Sequence, residues 1–147
     1  MIRNGRTAPT RSLNLDTGIN LGDGLVLREA TARDAEALAA FNADIHGRVD
    51  TGTPDSGVAA LTRDLMSGKY PGVGPEDSLV VENTRDGEIV SSLCLVPQVW
   101  SYGGVKVKVG RPELVGTHPE YRGRGLVRTQ FEIIHHRSAQ RGQKIQA

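Results

Sequence analysis

The spacing of apolar and polar residues predicts that the folded part of the chain begins with a strand and two helices. Leu25 and Leu27 share one face of a strand predicted over residues 25–31. The next two stretches, residues 32–47 and 53–68, repeat apolar residues at intervals of three and four, as amphipathic helices do. Each stretch ends near a glycine, which favours helix termination there.

After the second helix the period changes from helical to alternating, which predicts strands. Two runs rich in β-forming residues, 78–84 and 89–96, flank Asp86–Gly87, a strong hairpin signal. A second hairpin turn is predicted at Gly103–Gly104. It leads into residues 105–109, where valines alternate with lysines, so one face of that strand is expected to be solvated.

This strand is expected to resume through residues 113–118 after an interruption at Gly110 and Pro112 that suits a bulge or a bend. A helix follows, and residues 142–147 are typical of a turn that enters another strand. The inner stripe of this helix is predicted from apolar residues at spacings of four and three, namely Val127, Phe131 and Ile134, with Leu126 and Ile133 beside it. The order of elements predicts an α+β domain with a mixed, largely antiparallel sheet flanked by helices.

Composition adds limits to this picture. The chain has 147 residues, enough for one domain with a core, and its net charge of +1 does not favour general nucleic-acid binding. Its aromatic content of 4% also gives few residues for base stacking, so no nucleic-acid partner is expected. No run approaches the roughly 18 apolar residues of a membrane span, so no membrane partner is expected either.

The cysteine count and the first residues bear on compartment and domain limits. Cys94 is the single cysteine, which excludes an internal disulfide and a cysteine-based zinc site, and a cytoplasmic location is expected. Cys94 itself is expected to pack as a small hydrophobic residue. Residues 1–24 lack the apolar block of a signal peptide and are rich in Gly, Asn and Thr. We predict a flexible tail over 1–24 and one domain over 25–147.

The stretch "YRGRGLV" at residues 121–127 carries the clearest candidate chemistry. Backbone N–H groups at the start of a helix lack intrahelical partners and lie at the positive end of the helix dipole. Gly123 and Gly125 permit close approach, and Arg122 and Arg124 offer donors suited to phosphate oxygens. The pattern is therefore consistent with an anion site. A tight turn with solvated arginines is the alternative, and the third glycine of a dinucleotide fingerprint and the Gly-Lys-Ser/Thr of a Walker loop are both absent.

The longer stretch "VGTHPEYRGRGLV" resembles the acetyl-CoA-binding motif of the GNAT superfamily of N-acetyltransferases. The superfamily signature Gln/Arg-x-x-Gly-x-Gly/Ala falls on Arg122, Gly125 and Val127, and Val127 is bulkier than the small residue expected there. In having a bulky residue at this position, the motif resembles that of the enhanced-intracellular-survival subgroup. The resemblance covers about residues 25–147.

The resemblance implies a fold, a reaction and a site. The implied activity is transfer of the acetyl group of acetyl-CoA to a primary amine, on a small molecule or a lysine side chain, with no metal. A module that binds CoA or another phosphorylated ligand without turnover is the alternative. The cofactor-binding residues implied by motif position are Val115, Gly116, Thr117, Arg122, Gly123, Arg124, Gly125, Leu126 and Val127. In that fold the first three belong to a bulged strand whose backbone pairs with the pantetheine arm, although an ordinary strand end is the alternative.

Catalysis would require a base for the amine, and Glu113 on the same strand is the candidate. An ordinary carboxylate at a strand start is the competing interpretation. His118 is expected to lie in a half-exposed turn, and His135 and His136 point about 100° apart on a helix and cannot chelate together. Trp100 and Tyr102 are expected to pack across the second hairpin or, alternatively, to line an acceptor pocket.

The resemblance also implies elements beyond residue 147. GNAT domains continue from the third helix into a further strand, a helix and two more strands, and that region usually supplies the tyrosine that protonates the leaving thiolate. We therefore expect a C-terminally incomplete GNAT domain with weak or no activity by itself. An open strand edge and an uncovered helix side would favour a homo-oligomer.

Overall fold

The computed structural model describes residue 15 and residues 17–147. Within this part of the chain six strands form one sheet in the order β1-β2-β3-β4-β5-β6. The strands are β1 (Ile19–Gly22), β2 (Leu25–Glu29), β3 (Ser78–Asn83), β4 (Glu88–Tyr102), β5 (Val105–Thr117) and β6 (Ile145–Gln146). The α-helices are α1 (Ala35–Ile45), α2 (Ser56–Met66) and α3 (Leu126–Gln140). The predicted fold class is confirmed: an α+β domain with a mixed, largely antiparallel sheet.

Both predicted hairpins are present. β3 and β4 pair antiparallel across the turn that contains Gly87, whose φ is 77°. β4 and β5 pair antiparallel from Tyr102↔Val105 inward, and Gly103 and Gly104 take φ values of 54° and 82° in the turn between them. Glycine adopts these angles at little cost, so these local sequences specify the two turns. β6 then pairs parallel with β5 at Val109 and Gly110, so the strand predicted near the end of the chain is present.

The boundary predicted at residue 24 is wrong, because β1 lies within the predicted tail. β1 pairs antiparallel with β2, with Ile19 opposite Leu27. Ile19 and Leu21 also pack against the core cluster that contains Leu25 and Leu27. Residues 1–14 and 16 lie outside the described residues, so the rest of the tail prediction is untested.

The interruption predicted at Gly110 and Pro112 is also wrong. Both residues lie in a continuous part of the β4–β5 ladder, opposite Pro97 and Leu95. Gly110 has a packing reason instead: a Cβ there would lie 2.7 Å from the Ser138 hydroxyl of α3. The register shift of this ladder comes later, between the pairs Cys94↔Glu113 and Ser92↔Gly116.

The helices cover the two faces of the sheet. α3 packs on one face through Leu126, Ile133 and Ile134, against leucines of β2 and β4. α1 and α2 pack on the other face, where the cluster includes Leu38 and Met66. The core is therefore divided by the sheet into two layers.

The buried face of α3 differs from the predicted stripe. Its buried residues are Leu126, Gln130, Ile133, Ile134 and Ser138. Val127 and Phe131 are only partly buried. The face is rotated by about one residue because Gln130, which is fully buried, occupies its centre.

Thr31 and Asp34 form a capping box before α1 that is part of an ion-pair network. The Thr31 N–H donates to Asp34 Oδ2 at 2.7 Å, and Arg28 donates to both oxygens of Asp34, at 2.8 and 2.9 Å. Arg28 also donates to Glu82 at 2.9 Å, which connects β2 with β3. Hydrogen bonding to Arg28 holds the pKa of Asp34 below its ordinary value.

Candidate active site

The glycine-rich turn connects β5 to α3 and takes its shape from two glycines. A single 3₁₀ turn, Pro119–Tyr121, follows β5. Gly123 and Gly125 then adopt φ values of 76° and 74°, and Gly125 is the N-cap of α3. A Cβ at either position would meet nothing within 4 Å. Both glycines are therefore required by the left-handed backbone and also leave the surface of the turn open.

The start of α3 presents backbone donors beside this turn. The Thr129 N–H donates to Gly125 O at 3.0 Å, so the amides of Leu126, Val127 and Arg128 precede the first intrahelical bond. A cavity of about 260 Å³ lies against them. It is lined by Thr117 at the end of β5, by the turn and by the first residues of α3. The donors and the helix dipole make this cavity suitable for an anion.

The two arginines of the turn are held in different ways. Arg122 Nε donates to the Thr117 carbonyl oxygen at 3.2 Å, which ties the turn to the end of β5. The Arg124 guanidinium lies 4.9 Å from the centroid of the Tyr121 ring, within cation–π distance. Tyr121 is fixed in turn, because its hydroxyl accepts a hydrogen bond from Asn83 Nδ2 at 3.0 Å. Both arginines remain exposed, so they are available to a ligand.

The end of β5 contains a β-bulge. Glu113 pairs with Cys94 and Gly116 pairs with Ser92, so Leu114 and Val115 together face the single residue Leu93. Leu114 takes a φ of 53°, which is rare for a bulky residue. Bulges disrupt the ladder and bend the strand. The bulge therefore consists of Leu114 and Val115, of which Val115 is one of the three residues implied by the motif, and it does not lie at Gly110.

The backbone groups at this strand end point in alternating directions. The His118 N–H donates to Val90 O of β4 at 2.8 Å. In an antiparallel ladder the polar groups of the preceding residue, Thr117, therefore face away from β4. The Thr117 carbonyl is consistent with this direction, because it accepts a hydrogen bond from Arg122 and not from β4. Gly116, one residue earlier, faces β4 and pairs with Ser92.

Gly116 has a packing role that the sequence did not indicate. A Cβ at Gly116 would lie 2.5 Å from Ile45 Cγ2 and 3.6 Å from His46 Nε2. The missing side chain thus allows the end of α1 to approach the bulged strand. His46, distant in sequence, is brought next to the candidate site by this contact.

The candidate base Glu113 lies on β5 at the start of the bulge and is partly buried. Arg111, two residues away on the same face of the strand, approaches it with Nε 2.6 Å from Glu113 Oε1. Its carboxylate is thus near the bulge but is paired with a cation. In the sequence, only the i, i+2 spacing of these two residues in a strand indicates the pairing.

The remaining polar candidates are placed elsewhere. Cys94 is buried, as predicted, and burial raises the pKa of its thiol to about 11. His118 Nδ1 accepts from the Glu120 N–H at 3.2 Å and so caps the 3₁₀ turn.

In residues 15 and 17–147 no group of three or more His, Cys, Asp or Glu side chains could hold a metal ion. None of the helices in the described part of the chain is long and apolar enough to span a membrane.

Trp100 and Tyr102 lie near the tip of the second hairpin. They pair with Val107 and Val105 across the strands, which is the packing expected for the hairpin. Tyr102 is 86% exposed, and neither residue lines the cavity beside the glycine-rich turn.

Comparison with known proteins agrees with this geometry. The family model described as "Acetyltransferase (GNAT) domain" matches residues 27–147. No curated protein gives a significant match. An acetyltransferase structure from Trypanosoma brucei is 26% identical, with a TM-score of 0.60, and the match covers 84% of this chain and 80% of that chain.

Two further structures share the fold. A GCN5-related N-acetyltransferase from Kribbella flavida is 24% identical, with a TM-score of 0.61 over 83% of this chain. Saccharomyces cerevisiae N-myristoyltransferase with bound myristoyl-CoA is 13% identical, with a TM-score of 0.64 over 84% of this chain. This chain spans only 29% and 30% of the lengths of those two proteins. Because the family model matches most of its length, the chain belongs to the GNAT acetyltransferase domain family.

Proposed function

We propose that this chain binds acetyl-CoA and transfers its acetyl group to a primary amine. The observation that carries the proposal is the glycine-rich turn, which joins a bulged strand to the N-terminus of α3 beside an open cavity. The turn would hold the pyrophosphate of the co-substrate. Family membership and the donors at this turn support the same ligand class.

The residues of the turn fit a pyrophosphate chemically. Amides at the start of α3 supply neutral donors, and Arg122 and Arg124 supply charge on the exposed side of the turn. Val127 lines the cavity in the place where the motif has a small residue. Because its side chain is aliphatic, we propose that Val127 contributes its backbone N–H and narrows the cavity without removing a donor.

The end of β5 would hold the pantetheine arm through two residues of the three expected. Val115 lies in the bulge without a partner in the β4 ladder, and the polar groups of Thr117 face away from β4. These groups could pair with an extended ligand as an added strand would. Gly116 pairs with β4, so we propose that it acts by letting α1 pack closely and not by binding the arm.

Acetyl-CoA supplies a thioester that an amine can attack directly. The chain would orient the ligand through the turn and β5, and positioning of this kind can provide much of a rate enhancement. Glu113 lies next to the bulge and would accept the proton that the amine loses. Arg111, with Nε 2.6 Å from Glu113 Oε1, would keep that carboxylate oriented before the amine arrives.

Binding without turnover is the second candidate, and the same ion pair favours it. Glu113 Oε1 is held by the Arg111 guanidinium at 2.6 Å, so this oxygen is already occupied when an amine approaches. If Glu113 is a structural ion-pair partner, the chain would bind CoA but release no thiol. Release of CoA from acetyl-CoA with a panel of primary amines, followed with a thiol reagent, distinguishes the two functions.

The binding step can be tested with a charge-matched pair of variants. Arg122→Gln removes the arginine that connects the turn to Thr117, and Arg63→Gln removes an exposed arginine of α2 that pairs with Glu36. We expect acetyl-CoA to raise the Tm of the wild type and of Arg63→Gln, and to raise the Tm of Arg122→Gln much less. Calorimetry should give similar Kd values for acetyl-CoA on the wild type and on Arg63→Gln, and a higher Kd on Arg122→Gln. Absence of any shift in the wild type would refute the proposed function.

A further inference from the structure

The centre of the buried face of α3 is occupied by a glutamine. Gln130 is 0% exposed and lies on the same buried helix face as Leu126, Ile133 and Ile134, which belong to the apolar core. Its Oε1 atom is buried and has no hydrogen-bond partner within the part of the chain that the structure describes. A buried acceptor without a partner lowers stability, so an aliphatic side chain would be the better choice for the core alone.

The other end of the Gln130 amide joins three elements. Its Nε2 donates to Ser91 Oγ of β4 at 2.8 Å and to the Leu126 carbonyl in the first turn of α3 at 3.2 Å. Ser91 Oγ donates to the Gly116 carbonyl at 3.0 Å and lies 2.9 Å from Thr117 Oγ1. A single buried amide thus links the start of α3 to the end of β5 through one serine.

The linked groups are the two halves of the proposed co-substrate site. The start of α3 belongs to the glycine-rich turn, and Thr117 belongs to the strand end that would hold the pantetheine arm. Arg122 closes the connection on the outer side by donating to the Thr117 carbonyl. The spacing between the two halves is therefore fixed by Arg122 at the surface and by Gln130 and Ser91 inside.

We propose that Gln130 is a positioning residue that sets the distance between the turn and the strand end, so that one CoA molecule engages both. This inference rests on the proposed function. A ligand that spans both halves depends on their spacing, as in any bivalent contact, whereas a ligand that touches one half does not. Adenosine 3′,5′-bisphosphate, which lacks the pantetheine arm, is such a one-sided probe.

The test compares calorimetric Kd values for CoA and for adenosine 3′,5′-bisphosphate on the full chain. Gln130→Met keeps the length of the side chain and removes its polar atoms, and Ser91→Ala removes the hub with a smaller change. Ser138→Ala is the control, because its hydroxyl is also buried on α3 but bonds to Gln143, far from the turn. We expect Gln130→Met and Ser91→Ala to weaken CoA binding about tenfold, or about 1.4 kcal/mol. Their Kd for the bisphosphate, and both Kd values of Ser138→Ala, should stay close to wild type.

The outcomes separate this inference from the proposed function. A wild type that binds no CoA overturns both. If the wild type binds CoA and both variants bind it equally well, or lose CoA and the bisphosphate in equal proportion, the positioning role is overturned and the proposed function stands. If Gln130→Met does not fold, the decision rests on Ser91→Ala, for which the same outcomes apply.

Discussion

Replacing Gly116 with alanine tests why glycine stands in the strand that would hold the co-substrate. The new Cβ would lie 2.5 Å from Ile45 Cγ2, whereas carbon atoms prefer a separation of about 3.5–4.0 Å. Ile45 ends α1, so the helix end or the strand would have to move by about 1 Å. Overpacking of this kind costs about 1–3 kcal/mol. The φ of Gly116 is outside the left-handed region, so the alanine backbone adds no strain.

The loss of stability in Gly116→Ala is partly offset by an effect on the unfolded chain. Alanine reduces the freedom of the unfolded chain relative to glycine, which stabilises the folded state by about 0.4–1 kcal/mol. The expected net loss for Gly116→Ala is therefore about 1–2 kcal/mol, or a fall in Tm of about 2–4 °C for each kcal/mol. Urea denaturation followed by circular dichroism measures this loss, with an unchanged m-value as the check that unfolding remains two-state.

A second variant decides whether the contact with α1 is the cause. Leucine has no methyl branch at Cβ, so Ile45→Leu removes the atom that the new Cβ would meet, at a cost below about 1.5 kcal/mol. In that background Gly116→Ala should cost about 1 kcal/mol less than in the wild type. Equal costs in the two backgrounds, or a Gly116→Ala variant as stable as wild type, would refute the packing explanation. Retained CoA binding by the double variant would separate this packing role from ligand contact.

Three further predictions concern burial, the helix cap and the turn. Burial raises the pKa of Cys94 to about 11 from an ordinary 9.0, so its thiol should react with a thiol reagent at pH 8 only when urea unfolds the chain. Because the folded state favours the neutral thiol, Cys94 contributes to the free energy of unfolding fully below pH 9, and this contribution is lost as pH rises through about 11. The free energy of unfolding of Cys94→Ala should therefore fall less than that of the wild type between these pH values. The pKa of Asp34 is lowered from 3.8, so Asp34→Asn should cost about 1–2 kcal/mol at pH 7, and urea titrations should show this difference disappear as pH falls below 3.8. Gly125→Ala and Gly142→Ala both place alanine at a left-handed φ, 74° and 70°, and each should cost about 1–2 kcal/mol, but acetyl-CoA should raise only the Tm of Gly142→Ala.

Features that depend on neighbouring residues were predictable from the sequence. The cap formed by Thr31 and Asp34 needs two side chains three residues apart, and both lie within one helical turn. The turn at Gly103–Gly104 needs only two residues that tolerate positive φ. The glycine-rich turn belongs to the same class, because its conformation and its placement before a helix are set by Gly123 and Gly125.

Features that depend on partners distant in sequence were not predictable in the same way. β1 is short and lies in a segment rich in Gly and Asn, and its strand conformation depends on pairing with β2 and on contact of Ile19 and Leu21 with the core. The predicted stripe of α3 does not include Gln130, because a polar residue normally marks the solvated face of a helix. Its burial follows from Ser91, 39 residues earlier, which accepts its amide hydrogen bond.

The bulge shows how such distant contacts fix one position in a strand. On one side of it Gly116 must stay opposite Ser92, because Gly116 packs beneath Ile45 and Ser92 donates to Asn42 of α1 at 3.0 Å. On the other side the ladder holds Pro112 opposite Leu95, in a register that continues to the hairpin turn. The extra residue must therefore fall between these two constraints.

Leu114 occupies that place with a φ of 53°, a strained angle that costs of the order of 1 kcal/mol or more. Its side chain packs against a cluster that contains Leu65, Val73, Cys94 and Val96, and this burial offsets the strain. Glycine would relieve the angle but would lose the packing that selects the position. The bulge is thus determined by the tertiary contacts of both sheet faces, and because it frees Val115 from the ladder, those contacts also determine which backbone groups the strand can offer to a ligand.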